Sequence, residues 1–276
     1  MNVSQKTACL DNVGLLSDTR FTRRLMYKIK GLLVSLNPGL FWKLEKTVTG
    51  KYLENEISLL SVLCQKNKTS IDIGANYGAY LSYMLPYSKN CIGFEPNSYL
   101  AKVLSNAFKS KDVKILNYAL SDRFGTASLR VPIYHLGYSS IEPRNHFSGK
   151  IRYENDVETQ AVPMAQLDDF GFKEVGLIKI DVEGHEFEVL RGARKTLTRE
   201  RPYLIVEIEE RHRKGAVGAI IDYLIELEYD CFFLREKKLI PFFKFRLEVN
   251  QNPDNKNDYV RNFIFIPHEK TLILPC

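Results

Sequence analysis

The 276-residue sequence predicts an α/β protein, doubly wound around a mostly parallel sheet with helices on both faces. Three observations carry that expectation. Strand-like and helix-like segments alternate from about residue 54. Strand-like runs such as Leu177, Ile178 and Ile180 are apolar enough to be covered on both sides. Two runs break into acids and glycines at their carboxyl ends, the edge at which open α/β sheets bind ligands.

Composition agrees: 45% hydrophobic and 26% charged residues describe a globular chain long enough for one large domain with additions. Five scattered cysteines, with no C-x-x-C pair, point to free thiols in a reducing compartment rather than to disulfides or a zinc site. No run approaches the length of a membrane span, and the N-terminus lacks a secretory pattern, so a cytoplasmic location is expected. Residues 1–50 hold eight Lys/Arg against three Asp/Glu, which accounts for nearly all of the net +6. The rest is close to neutral, and nucleic acid is not an expected partner.

Taken in order, residues 1–50 form a basic, amphipathic helical extension, and 51–276 form the main domain. Between 20 and 46, basic residues alternate with apolar ones around Asn37-Pro38-Gly39, which predicts two short helices about a turn. They are expected to cap the domain with their basic face in water; peripheral attachment to an anionic membrane is the other reading. A helix follows at about 54–65, then strands at 69–73, 91–95 and 113–118 with helices between them. At 123–175 the alternation fails. Short strands at 126–131 and 158–162 flank a polar stretch with Tyr134, His135, Tyr138, Arg144, His146 and Phe147, expected to lie over the ligand edge as a lid. The alternation resumes with strand 177–181, helix 186–198, strand 203–208 and helix 215–228, then strands 229–234 and 259–266.

The chemistry concentrates in two blocks. In Ile71-Asp72-Ile73-Gly74-Ala75-Asn76-Tyr77-Gly78, an acid ends a strand and two glycines let the backbone turn against a ligand. Glu95 follows Asp72 by 23 positions, the spacing of an acid that accepts ribose hydroxyls. Asn76 stands where a dinucleotide loop needs glycine, which weighs against NAD and an oxidoreductase. In the second block, residues 178–191, Asp181 and His185 sit between the end of a strand and the first turn of a helix. There the helix terminus would favour a neutral imidazole, while Glu183 and Glu186 oppose that shift. His135, His146, His212 and His268 lack such a context and read as surface residues.

Together the two blocks resemble the FkbM-type family of S-adenosylmethionine-dependent methyltransferases, with its motifs D-x-G-A-N-x-G and I-K-x-D-V-E-G-x-E-x-x-V-L-x-G. The similarity continues through Gly93-Phe94-Glu95-Pro96-Asn97, Ala119-Leu120-Ser121-Asp122 and Leu167-Asp168, and spans roughly 54–210. It implies a class I, Rossmann-like fold with an antiparallel last strand, S-adenosylmethionine as methyl donor, and an acceptor hydroxyl on a sugar, glycan or secondary metabolite. An N-methyltransferase, a protein or lipid methyltransferase, or a non-catalytic cofactor-binding protein are the alternatives. Carried over residue by residue, Asp72, Gly74, Asn76 and Gly78 would surround the methionine part and Glu95 would hold the ribose. Residues 119–122 would border the adenine, with Asp122 as a polar contact or else an ordinary turn acid. Methyl transfer to a hydroxyl releases one proton, so His185 is the expected base or acceptor-orienting group, with Asp181 beside the acceptor. Asp181 and Glu207 end neighbouring strands, and two carboxylates plus water could hold Mg²⁺; the sequence leaves metal dependence open.

Overall fold

The computed structural model describes residues 20–49, 54–109, 111–132, 136–143 and 157–272. Two helices open the chain, α1 (Arg20–Leu36) and α2 (Pro38–Thr49), with the expected turn at Asn37. After a 3-10 turn and the short α3 (Leu60–Leu63) come β1 (Thr69–Ile73), α4 (Ala79–Met84), β2 (Asn90–Phe94), α5 (Ser98–Ala107) and β3 (Val113–Leu116). The insertion supplies β4 (Ala119–Leu120), β5 (Gly125–Pro132) and β6 (Val157–Ala165). The second half runs through β7 (Val175–Ile180), α6 (Glu186–Gly192), α7 (Arg194–Glu200), β8 (Tyr203–Glu207), α8 (Ala216–Glu226), β9 (Tyr229–Arg235), β10 (Lys238–Pro241), α9 (Leu247–Asn250) and β11 (Asn262–Pro267).

The main sheet has the order β10-β9-β11-β8-β7-β1-β2-β3. Strands β3, β2, β1, β7 and β8 pair in parallel, and β11 inserts antiparallel between β8 and β9. This is the class I methyltransferase arrangement, with β10 added as a hairpin at the edge. Strand order reverses between β1 and β7, so the ligand crevice belongs at their carboxyl ends. Side chains alternate between two helical layers with the period of two that a strand imposes. Ile71, Ile73, Ile178, Ile180, Leu204 and Val206 pack with α6, α7 and α8. Leu177, Ile205 and Ile264 pack against α3, α4 and α5.

Several expectations change in detail. The helix expected over 186–198 is two helices, broken at Ala193, whose φ of −106° and ψ of 3° leave the helical region. The 54–65 helix is mostly a 3-10 turn over Asn55–Leu59. In the insertion, β5 and β6 form a long antiparallel pair, and β4 joins β6 to make a second, three-stranded sheet. Tyr134, His135, Arg144, His146 and Phe147 lie outside the described residues. Cys64, Cys91 and Cys231 are buried free thiols.

The N-terminal pair does cap the domain. Gly31 lets α1 approach α5, since a Cβ there would meet the Tyr99 hydroxyl at 2.4 Å. From α2, Trp42 is buried and its indole Nε1 donates to the carbonyl of Tyr77 at 3.3 Å. The face left in water carries the lysines Lys28 and Lys43, as expected, and in addition Leu25, Ile29, Leu32, Leu36, Leu40 and Leu44.

Candidate active site

At the carboxyl edge of the sheet lies a cleft open to solvent, with about 590 Å³ of empty space when the solvent at its mouth is counted. Its walls come from the ends of β1, β2 and β7 and from the insertion, through Leu129, Leu136, Gly137, Ser139 and Ile141. The insertion therefore does overlie the ligand edge.

The β1 loop is shaped by a collision it avoids. Gly74 has φ of +83°, and a Cβ there would stand 1.8 Å from the carbonyl oxygen of Asp181, so only glycine lets β1 and β7 finish side by side. Gly78 is also left-handed, at φ of +75°, and packs beneath Leu104 of α5 and Phe108 just after it, away from the cleft. Between them the Asn76 amide donates to Glu95 Oε2 at 2.8 Å, while the Asn97 amide donates to Oε1 at 2.8 Å. Glu95 is thus locked across two loops. Burial pushes its carboxyl up to about 7, and the N–H groups of Asn97 and Asn76 hold it below what burial alone would give. Among the described residues the side-chain Oδ1 of Asn76 is buried without a hydrogen-bond partner. Beyond Glu95, Tyr118, Ala119 and Leu120 form a mostly apolar slot, with Tyr118 edge-on to Phe170 at 5.6 Å.

Asp72 and Glu207 end up beneath this cleft, not on its wall. Strand parity explains where they go. Asp72 faces Lys179 across the β1–β7 register, and Lys179, Asp181 and Glu207 share the α3–α5 face. The Lys179 ammonium is 2.9 Å from Asp181 Oδ2 and lies over the Tyr80 ring at 4.8 Å. Burial opposes its charge, but Asp181, Glu54, Asp72 and Glu207 outweigh that and hold the lysine above its ordinary range. Burial pushes Asp72 up to about 7, with Lys179 opposing. Glu207 is raised as well, first by burial and then by Asp181 and Glu54. Glu54 accepts from Tyr80 at 2.7 Å and from Asn262 at 3.0 Å, and completes a carboxylate group with Asp181 and Glu207 whose oxygens lie within 4.8 Å of one another. Three oxygen donors suit a hard cation such as Mg²⁺, and the Lys179 ammonium already pairs with one of the three, Asp181, at 2.9 Å.

His185 lies on the cleft wall at the start of α6, as expected; a protein hydroxyl engages its Nε2, while its Nδ1 is buried without a hydrogen-bond partner among the described residues. Nε2 is 2.9 Å from Ser121 Oγ, and Nδ1 stands 3.6 Å from Glu142 and 3.7 Å from Glu188. Burial lowers its pKa, against the pull of Glu188 and Glu142, so the ring is neutral at neutral pH. Asp122 does not line the cleft. Its carboxylate pairs with Arg191 at 2.6 Å, which departs from the expected adenine contact. The other motif acids are individually employed: Glu186 accepts from the Gly184 amide at 2.9 Å, Glu188 pairs with Arg213 at 2.6 Å, and Glu183 lies 3.1 Å from His212. His212 is buried, a correction to its expected surface position, because Glu183 and Glu209 flank it.

Lys179, Glu54, Tyr80 and Glu142 were not legible as site residues. Only Lys179 carried a signal, a charge inside an otherwise apolar strand, which must find a partner when buried.

Residues 72–231 match the family described as the Methyltransferase FkbM domain, more than half of the chain. The chain belongs to the FkbM methyltransferase family. Among curated relatives, it is 27% identical over 229 residues to the 2-O-methyltransferase NoeI of Sinorhizobium fredii, covering 76% of this chain and 93% of NoeI. It is 28% identical over 159 residues to the hexuronic acid methyltransferase AglP of Haloferax volcanii, covering 56% of this chain and 62% of AglP. The solved FkbM methyltransferase of Methylobacillus flagellatus KT superposes with a TM-score of 0.47 at 15% identity, over 73% of this chain and 44% of that one. The FkbM chain is an S-adenosylmethionine-dependent methyltransferase.

Proposed function

We propose that this FkbM methyltransferase places the methyl group on a hydroxyl of a sugar or glycan, with Asp181 meeting the acceptor. The observation that carries this reading is the Asp181 carboxylate itself, which lines the cleft next to the Gly74 loop and is fixed from below by Lys179 at 2.9 Å. The names of NoeI and AglP support hydroxyl and sugar chemistry respectively.

The cofactor fits the residues present. Glu95, already oriented by two amides, has lone pairs left to accept ribose hydroxyls, and the unpartnered Asn76 Oδ1 would take a donor such as the methionine ammonium. Gly74 leaves room at the strand end, and Tyr118, Ala119 and Leu120 offer an apolar seat for a purine. Bound there, S-adenosylmethionine supplies a methyl group on a positively charged sulfur.

The Asp181 carboxylate would accept the proton that the acceptor hydroxyl gives up when its oxygen takes the methyl group. Lys179 keeps Asp181 in place from beneath. His185 acts as a positioning residue: it ties Ser121 after β4 to α6, with Glu142 reaching it from the insertion. Asp122 does similar work on α6 through Arg191.

The test is to incubate the full chain with S-adenosylmethionine and a panel of uronic acids, neutral sugars and amines, followed by mass spectrometry and mild alkali. A methyl ether on a sugar, stable to alkali, is expected. Methylation confined to amines, or an alkali-labile ester, would overturn the reading.

A further inference from the structure

The outward face of the N-terminal helices is apolar where a free surface is ordinarily polar. Leu25, Ile29, Leu32 and Leu36 follow one another at helical spacing along α1, and Leu40 and Leu44 continue on α2; their exposures run from 46 to 74%. Packing against the domain uses the opposite side, with Gly31, Val34 and Trp42 turned inward. A contiguous patch of this kind marks an interaction surface rather than scattered exposed leucines.

Charge identifies the partner. Residues 20–46 contain seven Lys/Arg and one acid. Lys30 is drawn inward over Tyr77 and Trp42, at 4.8 and 5.2 Å, while Lys28 and Lys43 are exposed, one on each helix. A second copy meeting this face symmetrically would bring like charges together. An anionic surface would be complementary to them, and apolar residues beside lysines are the pattern of a helix lying in a lipid interface. Among the described residues no helix is long and apolar enough to cross a membrane, which leaves binding in the plane.

We propose that the α1–α2 face docks on an anionic lipid bilayer, with the leucine stripe at the acyl boundary and the basic residues on the headgroups. The Trp42–Tyr77 contact then sets the cofactor loop one helix thickness from the lipid. Docking does not depend on acceptor chemistry, so it stands or falls separately from the reaction proposed above.

The experiment is sedimentation of the full chain with vesicles of phosphatidylcholine alone or mixed with phosphatidylglycerol, alongside S-adenosylhomocysteine affinity as a measure of folding. The chain is expected to bind the mixed vesicles and to be released by high salt. Leu32→Glu with Leu36→Glu should abolish binding and leave S-adenosylhomocysteine affinity unchanged. Lys28→Glu with Lys43→Glu should weaken binding roughly tenfold or more. The proposal is overturned if the unaltered chain ignores mixed vesicles, if both double variants bind as it does, or if the chain is a dimer that the leucine variant splits without any vesicle binding.

Discussion

The two sides of the sheet edge hold their acids by different means. On the β1–β2 side, Glu95 is gripped by two backbone amides. On the β7–β8 side, Asp181, Glu188 and Glu209 are paired with Lys179, Arg213 and Arg211. Amides fix a carboxylate in place but leave much of the cost of burying its charge, so Glu95 titrates at about 7. Full counter-ions do more: Glu209, though burial pushes it up, is drawn down to about 2 by hydrogen bonds from Arg211 and Tyr259. The cofactor half therefore holds Glu95 by amides, while the reaction half combines amides at Glu186 with counter-ions at Asp181, Glu188 and Glu209.

The sharpest way to break that contrast is Lys179→Met. It strips the cation from beneath Asp72, Asp181, Glu54 and Glu207, and denaturant unfolding should show a loss of about 3–5 kcal/mol, as for a buried pair deprived of one partner. A loss below about 1 kcal/mol, within the range of an ordinary point mutation, would mean that the network does not support the fold.

Asp181→Asn should lower turnover by about 10² to 10⁴ with little change in S-adenosylhomocysteine affinity, because a positioned base is lost and the slot is not. His185→Ala should cost less, roughly tenfold, and mainly through acceptor KM, since its nitrogens face Ser121, Glu142 and Glu188. The reverse order would return the base to His185.

On the other half, Glu95→Ala is expected to weaken S-adenosylhomocysteine binding by about 1.5–3 kcal/mol in calorimetry while the protein remains folded. Unchanged affinity would remove Glu95 from the cofactor's reach.

A smaller effect follows from pH. Asp72, Glu95, Glu186 and Glu56 are all raised to about 7 in the fold. Between about pH 4 and 7 the native state then binds more protons than the unfolded chain, and stability falls as pH rises. Glu209 has the opposite sign and loses its contribution only as pH drops from about 4.5 towards 2. His185, lowered in the fold, opposes the four acids below about pH 6.5, but as one group against four. The ligand-free protein should therefore melt higher at about pH 5.5 than at pH 8, and lower again below about pH 4. A steady rise from about pH 5 to 8 would show these acids ionised in the fold. The smallest expected effect is that of EDTA, which should leave activity intact because Lys179 already pairs with Asp181; loss restored by Mg²⁺ would place a cation at one of two clusters, Asp181, Glu207 and Glu54 or Glu142, His185 and Glu188.

What the sequence made legible was whatever depends on local pattern. The strand over Thr69–Ile73 is where its apolar run puts it, and Gly74 and Glu95 reach the cleft because a strand end and a spacing of one β-α unit place them there. Strand parity alone sets Lys179 and Asp181 on one face, a clue the motif contained. Glu54 was out of reach, because Tyr80 and Asn262 hold it from elements far along the chain. The β9–β10 hairpin also escaped notice. Its two-residue turn has Glu236 and Lys237 at φ of 48° and 62°, where such turns ordinarily advertise themselves with Asn or Gly.

Trp42 is the single tryptophan of the chain, and its indole is anchored to the carbonyl of Tyr77 inside the Gly74–Gly78 loop. The molecule thus carries its own optical reporter at the joint between the outer helices and the methyl donor's seat. Its emission is expected to shift when either neighbour moves, so that a tightening of the loop and a tug on the cap would be read through one fluorophore.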